Sequence, residues 1–267
     1  MKLYLTAIVL LSLGQYAVAD TTLEFKNLHN PSKQDSIVYQ IKDNKLRFTE
    51  SSSTRVNLFD SNEQQFITFA PGSGKAEMFN REVLDTRVAQ LNQKRMLKLS
   101  HVEQELKDKL KSMSPKEQEV GASIVNQLKF PEFYGEHTLL KVNALESSKK
   151  IGDIECKIYQ LIKKKQRLRE YCIASPSSLE MSNSDYQTLK SFYAFDYNML
   201  TRLMLAMGKS DFELIDYDKE DMHGVIVEVI SYKGGSITQH QMLTSFNSNT
   251  LDKDIFVLPK SKAASQS

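Results

Sequence analysis

The chain has 267 residues, a formal net charge of +2, 40% hydrophobic residues and 25% charged residues. That balance belongs to an ordinary globular domain. The near-neutral charge excludes a global electrostatic pull toward nucleic acid.

The first residues, MKLYLTAIVLLSLGQYAVAD, place Lys2 beside the N-terminal amine, then an apolar run over 3–13, then Ala17, Val18 and Ala19 before Asp20. The order charged, apolar, small-x-small predicts a secretory signal peptide over residues 1–19, cleaved after Ala19. A run of about 11 residues is too short to cross a bilayer, which takes roughly 20. No cysteine follows the cleavage point, so no lipid anchor is expected there, and no later stretch is apolar enough to span a membrane. Cleavage removes one Lys and no acid, leaving 248 residues with a charge of +1. The expected location is the periplasm, with residues 20–260 as a single domain and residues 261–267 as a disordered tail.

Residues 23–79 read mostly as strand. Residues 36–41 run into the turn residues Asp43 and Asn44, and Leu46, Arg47 and Phe48 resume the pairing. Residues 56–59 and 65–69 form a second hairpin around 60–63, and Pro71 to Gly74 breaks the run. The period then changes. Leu84, Val88, Leu91, Leu99, Val102, Leu106, Leu110 and Met113 recur mostly at spacings of three and four, with Arg95 in the gap, which predicts a helix of about 30 residues over 80–113. Ser114, Pro115 and Glu117 have the spacing of a capping box and start a second helix, whose apolar face is Val120, Ile124 and Leu128. Phe130 and Pro131 end it.

Strand signals return over 138–173. Only two cysteines exist, Cys156 and Cys172, on two predicted strands that flank Lys163, Lys164 and Lys165. With the turn centred on Lys164 they face each other across a hairpin, and in an oxidising compartment such an isolated pair bonds. A redox pair or metal site is the alternative, but the spacing is not C-x-x-C and no histidine lies near. A third helix is expected over 185–207, capped by Ser184 and ended by Gly208. Strands are expected again over 212–217, 225–232 and 239–246, with 255–259 closing the domain. The resulting fold class is α+β.

The early hairpin leads to Asn57, Leu58, Phe59 and Asp60. The spacing Gly152, Cys156, Tyr159 is partnered by Tyr171, Cys172, Ile173 and Ala174. Gly224 opens a strand pair, and residues 254–259, DIFVLP, close the chain. In these features the sequence resembles a family of exported bacterial proteins related to the periplasmic lipoprotein carrier and its outer-membrane receptor. The resemblance implies a curved antiparallel sheet, an open half-barrel, packed on helices. The helix over 80–113 is a long insertion relative to that pattern. The resemblance carries no catalytic residues.

Catalytic and metal motifs are missing. Gly72, Ser73, Gly74 and Lys75 lack the spacing and the Ser or Thr of a phosphate loop. The five histidines have no metal-ligand spacing, and no G-x-S-x-G elbow occurs. No catalytic residue, metal or cofactor is expected, and the chain reads as a non-enzyme. Two candidate surfaces stand out. The third helix carries apolar residues on more than one face, so it must be enclosed or partnered. Leu189, Phe192, Tyr193, Leu200, Leu203, Met204 and Met207 are the expected lining for an apolar ligand such as an acyl chain or a lipoprotein segment. Lys163, Lys164, Lys165 and Arg167 form the densest basic run and are the expected contact with anionic headgroups, a peripheral membrane contact. The alternative is an interaction module that docks an envelope protein through the helix 80–113.

Overall fold

The computed structural model describes residues 20–29, 35–73, 75–209 and 211–258. The expected signal peptide, its cleavage point after Ala19 and the expected tail at 261–267 lie outside the described residues, apart from Asp20. Eleven strands form one sheet: β1 (Thr21–Asn27), β2 (Ser36–Lys42), β3 (Lys45–Glu50), β4 (Val56–Asp60), β5 (Gln65–Phe69), β6 (Ala76–Phe79), β7 (Leu140–Ile151), β8 (Ile154–Lys163), β9 (Gln166–Ala174), β10 (Val225–Lys233) and β11 (Ser236–Asn247). Their order across the sheet is β6-β5-β4-β3-β2-β1-β11-β10-β9-β8-β7, with every neighbouring pair antiparallel. The fold is α+β, and the sheet does not close into a barrel: β6 and β7 are its two edges. The N-terminal meander and the C-terminal strands become one sheet through the pairing of β1 with β11.

Register decides which side chains share a face, because partners across a ladder point the same way. Leu23 pairs Tyr39, Tyr39 pairs Phe48, Ile41 pairs Leu46, Leu46 pairs Phe59, and Phe59 pairs Phe66. This row of apolar side chains forms the inner face. The opposite face of β4 and β5, with Val56, Leu58, Ile67 and Phe69, packs on Phe256, which belongs to a single 3-10 turn, Lys253–Phe256. The C-terminal segment expected to close the domain therefore does so as a turn rather than as a strand.

Helix α4 (Asn183–Ala206) fills the inner face. Phe192 lies 5.6 Å from both Phe48 and Phe59, and Phe195 lies 5.2 Å from Phe59, measured between ring centroids. Its cap is Ser182, whose Oγ accepts from the Asp185 amide at 3.1 Å, and not Ser184 as the sequence suggested. Both serines fit the rule; Ser182 has the extended backbone that a cap requires. Gly208, at φ +74°, ends the helix as expected. Thr21 and Asp20 anchor the start of the sheet. Thr21 Oγ1 donates to Asp185 at 2.6 Å, Lys42 Nζ meets Asp20 at 2.5 Å, and the Leu251 amide donates to Asp20 at 2.7 Å.

The connection from edge β6 to edge β7 is helical. Helix α1 (Arg81–Leu110) is capped by Asn80, whose Oδ1 accepts from the Val83 amide at 3.0 Å, and it runs 30 residues. Helix α2 (Pro115–Lys129) starts at the expected capping box, with the Ser114 amide donating to Glu117 at 2.8 Å. It ends at Phe130, where α3 (Pro131–Tyr134) adds one turn. The two long helices form an antiparallel hairpin. Arg95 Nη1 donates to the Leu128 carbonyl at 2.8 Å and Lys129 meets Glu103 at 2.7 Å. Helix α1 leans on α4, where Leu84 and Leu99 are buried and Arg202 meets Asp85 at 2.5 Å.

Cys156 and Cys172 are bonded, with Cα atoms 5.3 Å apart. Their register differs from the expected one. Cys156 pairs Ala174 and Cys172 pairs Ile158, so the bridge runs diagonally between β8 and β9. Two local causes add up. The turn uses two residues, Lys164 and Lys165, both at positive φ (49° and 70°), and β9 carries an extra residue at Leu168. A two-residue turn shifts the pairing by one position and the bulge by one more.

Residues 212–217, expected as a strand, have no partner strand. They form an irregular strap that lies against β9, with Ile215 buried beside Tyr171 and Ile173. Gly224, which follows the strap and leads into β10, has φ +135°, and a Cβ there would sit 2.4 Å from the Ala174 carbonyl oxygen. Only glycine lets the chain turn into the sheet this close to β9.

Candidate binding site

Between the inner face, α4 and the strap lies a cavity of about 320 Å³, within the range typical of small-molecule sites. From the sheet it receives Phe25, Tyr39 and Phe48. Helix α4 contributes Phe192, Tyr193, Asp196 and Tyr197, which share one face by their spacing of three and four. Strand β9 supplies Arg169 and Tyr171, and the strap supplies Glu213, Ile215 and Tyr217. The rings touch one another: Phe25 and Tyr39 at 5.7 Å edge to face, Tyr39 and Phe48 at 5.4 Å, Tyr193 and Tyr217 at 5.4 Å.

The strap is pinned by polar contacts. Arg169 Nη1 donates to the Glu213 carbonyl at 3.2 Å and Nη2 lies 3.6 Å from the Glu213 carboxylate. Lys163 meets Asp211 at 2.5 Å, and the His137 ring stacks on Phe212 at 4.5 Å.

Burial shapes the ionisation of the wall. It pushes the Tyr39, Tyr193 and Tyr217 hydroxyls well above the ordinary tyrosine range, so all three stay neutral donors and acceptors. It also pushes the Asp196 carboxyl up to about 6. Burial is the sole cause there: among the described residues no cation stands close enough to hold the carboxylate down, and no hydrogen bond to it occurs.

The residues expected to line an apolar site divide. Phe192 and Tyr193 reach the cavity. Leu189 is buried in the core beneath the sheet, Leu200, Leu203 and Met204 are half-buried farther along α4, and Met207 is exposed at the end of the helix. Asp196 was not among the expected residues, although its signal was present: it is the one acidic residue in the stripe 189, 192, 193, 196, 200. Tyr39, Phe48, Arg169 and Tyr217 come from distant strands and the strap, and no local pattern ties them to α4.

The basic run sits at the β8–β9 tip. Lys164 and Lys165 make the turn itself, Lys163 is paired with Asp211, and Arg167 pairs Glu170 at 3.1 Å while lying 4.0 Å above the Tyr232 ring. On the face opposite the cavity, the buried Glu228 carboxylate takes Lys149 at 2.6 Å and His240 at 2.8 Å. Among the described residues no three His, Cys, Asp or Glu side chains gather as a metal site. No helix among them is long and apolar enough to cross a membrane.

No family model matches the sequence, and a search of curated proteins finds no significant match. Among solved structures the chain is similar to PNGF-II in two crystal forms. In the C2 form the TM-score is 0.39 at 9% identity, covering 89% of this chain and 29% of that chain. In the P21 form the TM-score is 0.37 at 8% identity, covering 90% and 30%. The chain spans less than a third of the length of PNGF-II.

Proposed function

We propose that this chain is a non-enzymatic exported protein of the periplasm that binds or carries an apolar ligand, such as an acyl chain or a lipoprotein segment. The observation that carries the reading is the cavity between the sheet, α4 and the strap, walled mainly by aromatic and aliphatic side chains. Three further points support it. Residues 1–19 have the order of an export signal cleaved after Ala19. The Cys156–Cys172 bond suits an oxidising compartment. The sequence resembles the lipoprotein carrier and receptor group in its hairpins and closing segment. The test is native mass spectrometry of protein purified from the bacterial envelope, together with titration of a neutral fluorescent lipid probe. A bound mass of lipid size, or saturable binding, is expected. A clean apo mass with no probe binding sinks the reading.

A second reading is an interaction module of the envelope that uses the α1–α2 hairpin, with or without the basic tip at Lys163, Lys164, Lys165 and Arg167 against anionic headgroups. Exposed apolar residues favour it: Met96, Leu97 and Val102 on α1, and Val120 and Ile124 on α2. Photo-crosslinking from position 120 in the living envelope is expected to trap one partner band if the hairpin docks, and none if it does not.

A further inference from the structure

The cavity has a chemical polarity that a purely greasy site lacks. Two carboxylates and one guanidinium line it. The charge of the guanidinium is already balanced, since both terminal nitrogens of Arg169 are turned to Glu213, although its Nε is buried without a partner. Asp196 is left over. It stands on α4 between Tyr193 and Tyr197, facing the same space as Tyr39, Phe48 and Phe192, without a cationic partner among the described residues. Aromatic faces carry the negative end of the ring quadrupole and attract cations. A carboxylate set among such faces in a low-dielectric hollow does so more strongly. The unbalanced charge of the cavity is thus negative, and the group that completes it is positive.

We infer that the ligand is an amphiphile with a cationic head, an amine or quaternary ammonium, which sits at Asp196 while its apolar body lies against Phe25, Phe48 and Phe192. This inference rests on the binding function proposed above and specifies its ligand. A fatty acid would fit the same walls, but its carboxylate would meet Asp196 with like charge, and at Arg169 it would find only the Nε free, the terminal nitrogens being turned to Glu213.

The site has a pH signature. The titratable and charged groups around Asp196 are Tyr39 on β2, Tyr193 and Tyr197 on α4, Arg169 and Tyr171 on β9, and Glu213 and Tyr217 on the strap. Burial lifts all five tyrosines, so none of them titrates near neutrality. Protonation of the Asp196 carboxyl, with its midpoint at about 6, removes the partner of the cation.

Three probes with one tail separate the outcomes: decyltrimethylammonium, decanol and decanoate, titrated calorimetrically into the full chain purified from the envelope and stripped of lipid. The ammonium is expected to bind about tenfold tighter than the alcohol at pH 7.5, and decanoate weakest. The ammonium is expected to lose most of that advantage by about pH 5, while decanol binding stays level. Asp196→Asn keeps the shape of the side chain, and it is expected to bring the ammonium within about twofold of decanol and to flatten the pH profile. Decanol or decanoate binding as tightly as the ammonium overturns the cationic head and leaves the apolar site standing. Failure of all three probes overturns both. A preference for the ammonium that survives in Asp196→Asn overturns the role of that residue. So does a preference that stays level from pH 7.5 to pH 5 in the unaltered chain, a measurement that needs no substitution.

Discussion

Helices α4 and α2 were written with the same device, apolar residues at spacings of three and four, and met opposite fates. Helix α4 buries Leu189, Phe192, Met199 and Ala206 against the inner face of the sheet and α1, and even Asp185 and Thr188 are enclosed. Helix α2 buries none of its residues: Val120 is 55% exposed and Ile124 52%. The difference lies in what faces each helix. Helix α4 leaves β9 at Ala174 and returns to β10 at Val225, two neighbouring strands, so the chain has to lay it across the sheet they belong to. Helices α1 and α2 join two strands at opposite edges, and the hairpin can rest on α4 along one side only. An apolar stripe specifies that a helix will have a sticky face; topology specifies what meets it.

The contrast can be broken most forcefully at the sheet. Phe59→Ala is expected to cost about 3–5 kcal/mol, because Phe59 is 1% exposed and holds Phe192 and Phe195 in place. Urea unfolding checks this, and a loss near zero would mean that α4 does not lean on β4. Next is the bridge beside the strand that feeds α4. Replacing both Cys156 and Cys172 by serine is expected to cost about 3 kcal/mol on the chain-entropy account of a loop of this length. In a domain of this size that lowers Tm by roughly 6–12 °C, read by calorimetry.

Asp196 sharpens the comparison from the other side, since it is an acid on the buried face. Burial holds its carboxyl up to about 6, above its unfolded value near 4, so the folded state binds more protons between those values. Stability from this group is present below about pH 4, falls as pH rises to about 6, and stays low beyond it. Asp196→Asn is therefore expected to match the parent chain near pH 4 and to exceed it by on the order of 2–3 kcal/mol at pH 7, in urea unfolding at both pH values. Equal stability at pH 7 would show that the carboxylate has a partner. The smallest effect belongs to α2. Val120→Ser together with Ile124→Ser is expected to change stability by no more than about 0.5 kcal/mol. A loss above about 2 kcal/mol would show that this face is covered in solution.

What could be read along the chain was local. The Asp43 and Asn44 turn, the α1 helix of about 30 residues, the capping box at Ser114 and Glu117, and the helix stop at Gly208 each depend on residues within one turn of each other, so pattern and structure agree. The two cysteines announced their pairing in the same way. Their diagonal register did not show, because neither the two-residue turn at Lys164 and Lys165 nor the bulge at Leu168 leaves a mark in a strand pattern. Residues 212–217 failed as a strand for a different reason: they lie against β9, which is already paired on both sides by β8 and β10, and they became the wall of a cavity instead.

The amino-acid sequence by itself determined most of the strands and helices, which cysteines bond, how α2 begins and where α4 ends, because backbone hydrogen bonding and capping act over a few residues. The tertiary structure alone decided that β1 joins β11, that α4 lies inside, and that Tyr39, Phe48, Arg169, Asp196 and Tyr217 share one hollow. Those residues are far apart along the chain, and only the order of strands in the sheet converts that separation into contact.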